Sequence, residues 1–197
     1  MSVQVKPRSR AIVVVECFAV IAFTGLVAVL LRRLVMAIST PATAVVATAG
    51  ALLGYLAIHH SSRSMDWLAG SRLHLLDIVV TRGLSFVPLY VFGFAPAAIY
   101  AYLVFVSFHA VFIHANVRWN LRAIDRVLVT PRFHHWHHAA HPEAVNRNFA
   151  VHAPWIDRLL GTAHLPVGQW PQVYGIAGDP VPEGYFHQLV WPVIRRA

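Results

Sequence analysis

The strongest chemical signal in the chain is a run of five residues, His134-His135-Trp136-His137-His138. Imidazoles three and four apart on a helix share a face. His134, His137 and His138 are therefore expected to converge, and His135 to point away. Neutral imidazole ligates iron, zinc, copper or nickel. The competing explanation is a basic, solvated helix end. The chain holds 13 histidines, and they cluster at His59-His60, His74, His109, His114, 134–141 and His152, with His164 and His187 outlying. A second histidine pair at 59–60 favours metal over a solvated helix end. His109 lies off the helical face of His114 and reads equally as a buried, hydrogen-bonded side chain. His74, three residues before Asp77, reads as a ligand or as the partner of one. Pro142 keeps His141 out of a continuing helix, because the residue before proline avoids the α region. His152, His164 and His187 read as surface or structural. One catalytic ion needs about three protein ligands, so this many histidines suggest two ions.

Carboxylates narrow the chemistry. There are 8 Asp and Glu, and no Glu-x-x-His pair, which argues against a carboxylate-bridged bundle. His-Glu-x-x-His is absent too, against an intramembrane zinc protease.

The elements that must position these histidines are apolar. Hydrophobic residues make up 57% of 197 residues and charged residues 12%, with mean hydropathy +0.57. Soluble domains carry roughly twice that share of charge, so the surplus apolar surface predicts lipid. The formal charge of +8 comes from basic residues flanking apolar runs, which fits anchoring to anionic headgroups and not nucleic acid. Cys17 is the lone cysteine, so no intrachain disulfide is available. Residues 11–31 are expected to span the bilayer; a cleaved signal is the competitor, disfavoured by length and by Arg32-Arg33 directly after. Residues 41–58 make a second span. Residues 83–113 lack acidic and basic charge and contain Pro88 and Pro96. One straight helix there would reach about 46 Å, too long for a single crossing, so a re-entrant hairpin divided at Pro96 is expected. A hairpin also returns His134–His138 to the side of His59-His60. From Arg118 onward the chain reads as an extramembrane cap, with an irregular Pro/Gly-rich stretch at 165–182. The expected fold is an all-α membrane protein: transmembrane helices at 1–58, then a histidine-rich domain at 59–197 with the hairpin and a cytoplasmic cap.

These residues resemble the fatty acid hydroxylase superfamily, in particular its sterol desaturase branch. His59-His60-Ser61-Ser62-Arg63-Ser64-Met65-Asp66-Trp67 with Arg72-Leu73-His74 looks like the family's second histidine box and its sequel. His114-Ala115-Asn116 looks like its next histidine. Thr130-Pro131-Arg132-Phe133 leading into His134–His138 looks like its last box. Asn148-Phe149-Ala150 and Pro154-Trp155-Ile156-Asp157-Arg158-Leu159-Leu160-Gly161-Thr162 look like its closing signature.

The resemblance implies a membrane-bound non-haem di-iron enzyme that hydroxylates or desaturates a lipid or sterol C–H bond. It would use O₂ and electrons from a donor such as a ferredoxin or a cytochrome with its reductase. His59, His60, His114, His134, His137 and His138 would be iron ligands, with His74 and His109 as further members. Asp157 would orient a ligand histidine. The setting would be a multi-pass protein of a bacterial cell membrane.

The chain departs from the pattern in two places. The first box, His-x-x-x-His, is absent, and Leu56 stands where the second box begins with histidine. Three expected ligands are missing, which predicts fewer than two irons and an N-terminus altered by its start site or reading frame. The alternative function is a non-catalytic or truncated relative, a membrane scaffold binding one metal or none. A metal transporter is disfavoured, since the spans hold one ionisable residue, Glu16.

Overall fold

The structure is a computed structural model that describes residues 9, 11–20, 22–23, 26, 30, 56–176 and 181–191. The second expected span, apart from its last three residues, lies outside the described residues, as do Lys6, Arg8, Arg10, Arg32 and Arg33. Among the described residues regular structure is helical, apart from an isolated bridge between Ala139 and Tyr174.

Helix α1 covers Ala11–Val20, and residues 56–60 are helical and are labelled α2. Helix α3 runs Leu75–Val91 and α4 runs Pro96–His114. The turn between them follows from local sequence. Gly93 takes φ +71°, a left-handed value that glycine adopts without a Cβ clash. The Gly93 N–H donates to Tyr90 O at 3.0 Å and the Phe94 N–H to Leu89 O at 3.1 Å, the paired bonds of a Schellman ending. Pro96 then opens α4 at a position where its missing N–H costs nothing. The chain thus breaks at the expected proline, but α3 begins eight residues before residue 83, passing through Asp77 and Arg82. Charge marked the edge of an apolar run, and the helix does not stop at that edge.

Leu89 of α3 and Tyr102 and Val106 of α4 form a buried cluster with Val20 of α1. The Glu16 carboxylate accepts the Ala95 N–H at 3.2 Å, so α1 caps the start of α4. Ala98, Tyr102, Val106, His109 and Ile113 of α4 are buried along one stripe at helical spacing, and His114 is buried at its end. Its other face leaves Tyr100, Val104, Phe108 and Val111 exposed. Among the described residues α4 is the one helix long and apolar enough to cross a membrane.

The segment expected as the cap holds three short helices: α5 (Pro131–His137), α6 (Pro154–Leu159) and α7 (Tyr185–Val190). Phe133 of α5 packs on Val129 and on Ile113 of α4. Asp157 binds the closing segment together: its carboxylate accepts the Phe149 N–H at 2.9 Å, the Ala150 N–H at 2.7 Å and the Thr162 hydroxyl at 2.6 Å. No histidine is among these partners.

Candidate metal centre

His134 lies in the middle of α5 and His138, one turn later, is its C-cap. His114 is the last residue of α4. His59 comes from α2, whose final turn is held by Arg72: its Nε donates to Ile58 O at 3.1 Å. The loop carrying Arg72 packs directly on α4 because residue 70 is glycine. A Cβ there would stand 3.0 Å from His114 Nδ1 and 3.3 Å from Ala110 O.

These three elements bring four imidazoles together. His59, His114, His134 and His138 each offer one ring nitrogen, and all four nitrogens lie within 4.8 Å of one another. Adjacent Nε2 atoms are 3.3 Å apart for His59 and His114, 3.0 Å for His114 and His134, and 3.1 Å for His134 and His138. The hydrogens can be assigned from the outer nitrogens. His114 Nδ1 lies 2.6 Å from Ala110 O and His59 Nδ1 lies 3.3 Å from Arg72 O. A carbonyl only accepts, so both Nδ1 atoms carry a proton, and in a neutral ring Nε2 is then the bare, ligating nitrogen. Burial pushes His134 and His138 well below the usual histidine range, with their histidine neighbours adding to the effect. Both are neutral at pH 7, the form that ligates.

This donor set fits a metal ion. Four nitrogens bound tetrahedrally at about 2.1 Å would be about 3.4 Å apart, and the adjacent separations approach that. Lone pairs facing at such distances repel unless a cation lies between them. Imidazole alone accepts iron, zinc, copper and nickel alike.

The other expected ligands fall into two groups. His60 stacks on His138, with ring centroids 4.4 Å apart, and meets His137 at 4.6 Å. His137 Nδ1 donates to Arg147 O at 3.0 Å. These two rings flank the four without joining the tight group. His74 and His109 lie elsewhere. His74 caps α3: its Nδ1 accepts the Leu76 N–H at 3.0 Å and its Nε2–H donates to Leu189 O at 2.9 Å. His109 donates through Nε2 to Val129 O at 2.8 Å and pairs with His152. His135 turns off the group face to meet Tyr174 at 2.9 Å and Trp170, and burial lowers its pKa to about 4.

Asp157 orients no ligand. Backbone carbonyls of Arg72, Ala110 and Arg147 take that part for His59, His114 and His137. Main-chain acceptors leave no trace in residue type, so the sequence carried no sign of them. Gly70 and His152 were equally silent.

A curated relative, the ornithine lipid hydroxylase OlsE of Rhizobium tropici, is 32% identical over 141 residues, which cover 71% of this chain and 42% of that protein. The chain therefore spans less than half the length of the relative it matches. No solved structure matches the chain. The fatty acid hydroxylase family model matches residues 51–162, a stretch that contains all four converging histidines, and the chain belongs to that family.

Proposed function

We propose that this chain is a membrane-bound, iron-dependent lipid hydroxylase. The observation that carries the reading is the group of four imidazoles whose ring nitrogens converge within 4.8 Å of one another. In this reading His59, His114, His134 and His138 hold one ion, and His60 and His137 contribute to a second. Bound iron would supply O₂ activation and oxidation of a C–H bond, with two electrons from an external donor such as a ferredoxin or cytochrome. The protein's own part is to hold the lone pairs in place through Arg72 O, Ala110 O and Arg147 O and to keep the group dry. His114, His134 and His138 are each 5% exposed or less. The curated relative is named for an ornithine lipid, which supports a polar lipid as substrate class.

Membrane seating has its own support. Helix α4 has 19 residues, about 28 Å of helix, close to the thickness of a hydrocarbon core. Trp67, Trp119, Trp155 and Tyr185 are exposed, residue types that suit the headgroup layer. A re-entrant α3–α4 hairpin would leave the cap on one side, and the basic residues favour the cytoplasmic side.

A second reading has one observation in its favour: the tight group is the size of a single ion's ligand set. A partial metal binder without oxygenase activity fits that. Metal analysis and O₂-dependent lipid oxidation by detergent-solubilised protein separate the two. Two irons per chain with a hydroxylated lipid product establish the first reading; one ion and no O₂ uptake establish the second.

A further inference from the structure

Three side chains that the metal group does not use form a buried chain of fixed polarity. His109 Nε2 lies 2.8 Å from Val129 O, and a carbonyl cannot donate, so this nitrogen carries the hydrogen. In a neutral ring His109 Nδ1 is then bare. His152 Nδ1, 3.0 Å away, must be the donor to it. That leaves His152 Nε2 bare, and it accepts the Tyr102 hydroxyl at 3.2 Å. Every step follows from the carbonyl at the end. Tyr102, His109 and His152 are each 4% exposed or less. Burial and the neighbouring His109 hold His152 at a pKa of about 3, consistent with a ring that stays neutral.

The chain ends on a strategic residue. Val129 is fully buried and stands two residues before Pro131, the first residue of α5. Its carbonyl is taken by His109, and its N–H donates to His152 O at 2.9 Å. Both backbone groups of Val129 are thus tied to the same histidine pair. Nearby Asp125 accepts from Thr130 and, at 2.9 Å, from Arg132, but these bonds tie α5 to the turn just before it. Beside the packing of Phe133 on Ile113, the hydrogen-bonded tie of Val129 to α4 runs through His109, five residues ahead of His114 on that helix. His114 and His134, one on each helix, are 3.0 Å apart. A slip of α5 along α4 would open that distance and strand a buried carbonyl without its donor.

We propose that His152 is a positioning residue: acting through His109, it keys Val129 onto α4 and so sets the spacing of the metal-binding histidines. The proposal rests on the reading of the four histidines as a metal site. Its test uses the full chain in nanodiscs with Co²⁺ as the probe, read by the ligand-field absorption spectrum and by titration. His152→Phe keeps bulk and cuts both side-chain bonds; it is expected to weaken Co²⁺ binding about 10- to 100-fold, the usual range for partners behind the ligands, and to change the spectrum. His152→Asn keeps a donor toward His109 and loses the bond to Tyr102; it is expected to restore both readouts to within about threefold, a residual near 0.6 kcal/mol. Tyr102→Phe is expected to behave as wild type. Wild-type binding and spectrum in His152→Phe, or no rescue by His152→Asn, overturn the proposal. Should the unaltered chain bind no Co²⁺, the metal reading fails by itself. Amide hydrogen exchange across residues 129–138 then decides the positioning role: faster exchange in His152→Phe with recovery in His152→Asn upholds it, and unchanged exchange overturns it.

Discussion

His59 and His114 face each other at 3.3 Å, Nε2 to Nε2, and two neutral rings protonated on Nδ1 place no hydrogen between them. Each has already given its one proton to a carbonyl, Arg72 O and Ala110 O. Such a contact is repulsive in the bare protein and attractive around a cation. Folding has therefore brought together groups that gain from a ligand, and the first two predictions concern that gain.

Gly70 is the tightest steric condition on the group. A Cβ there would meet His114 Nδ1 at 3.0 Å and Ala110 O at 3.3 Å, inside the one bond that orients His114. Gly70→Ala is expected to destabilise the fold by about 1–3 kcal/mol, as overpacking does, and to lower metal content at the same time. Thermal unfolding and metal analysis on one preparation check both. Normal metal content would mean that the His114 ring moves freely.

The box itself gives a contrast between neighbours. His138→Ala removes one nitrogen of the converging group and, if the group binds metal as proposed, is expected to cost at least tenfold in metal affinity. His135→Ala, whose ring meets Tyr174 and Trp170, is expected to leave metal content within about twofold while costing about 1–3 kcal/mol of stability from its lost bond. Equal metal loss from both variants contradicts the division of faces on α5.

Stability should fall in mild acid. His135 and His152 titrate near 4 and 3 in the fold but near 6.5 when unfolded. Below pH 6.5 the unfolded chain binds protons that the folded chain does not, so stability drops as pH falls and levels off only near the folded values. At pH 5 each group costs about 2 kcal/mol. Thermal scans of metal-free protein from pH 7.5 to 4.5 read this directly, and a midpoint that does not move between pH 7 and 5 contradicts the burial of these rings.

Topology is testable from the cap. Segment 173–175 links two distant stretches: the Ala140 N–H donates to Val173 O at 2.9 Å, and a Cβ on Gly175 would lie 3.9 Å from Ser62 O. Single cysteines at Ser62 and Ala140, in a Cys17→Ser background, are expected to react with an impermeant thiol reagent from the same side of sealed vesicles. Labelling from opposite sides breaks the shared site.

What the sequence made legible followed helical periodicity. His134 and His138 meet because they are four apart, and His135 leaves their face for the same reason. Pro96 marked the break between α3 and α4. What stayed hidden lacked a period or a side chain. His152 follows an irregular segment, and its partners Tyr102 and His109 are 50 and 43 residues away. The carbonyls that hold the ligand rings belong to residues of unrelated type. Asp157 looked like an orienting carboxylate because acids often serve so, yet backbone amides at 149 and 150 claimed it first. The N-terminal departures from the family pattern, apart from Leu56 in α2, lie outside the described residues.

The use of main-chain carbonyls behind the ligands has an electrical consequence. Four neutral imidazoles, backed by neutral amides, contribute no negative charge. A divalent ion held by them would keep its full double charge in a buried place. The two buried carboxylates of the cap are committed, Asp125 to Thr130 and Arg132, Asp157 to the Phe149 and Ala150 amides. Compensation must come from outside the group, as hydroxide or as an anionic portion of whatever molecule enters. The site is thereby biased toward anionic visitors, and chloride or carboxylates are expected to compete with one another for it.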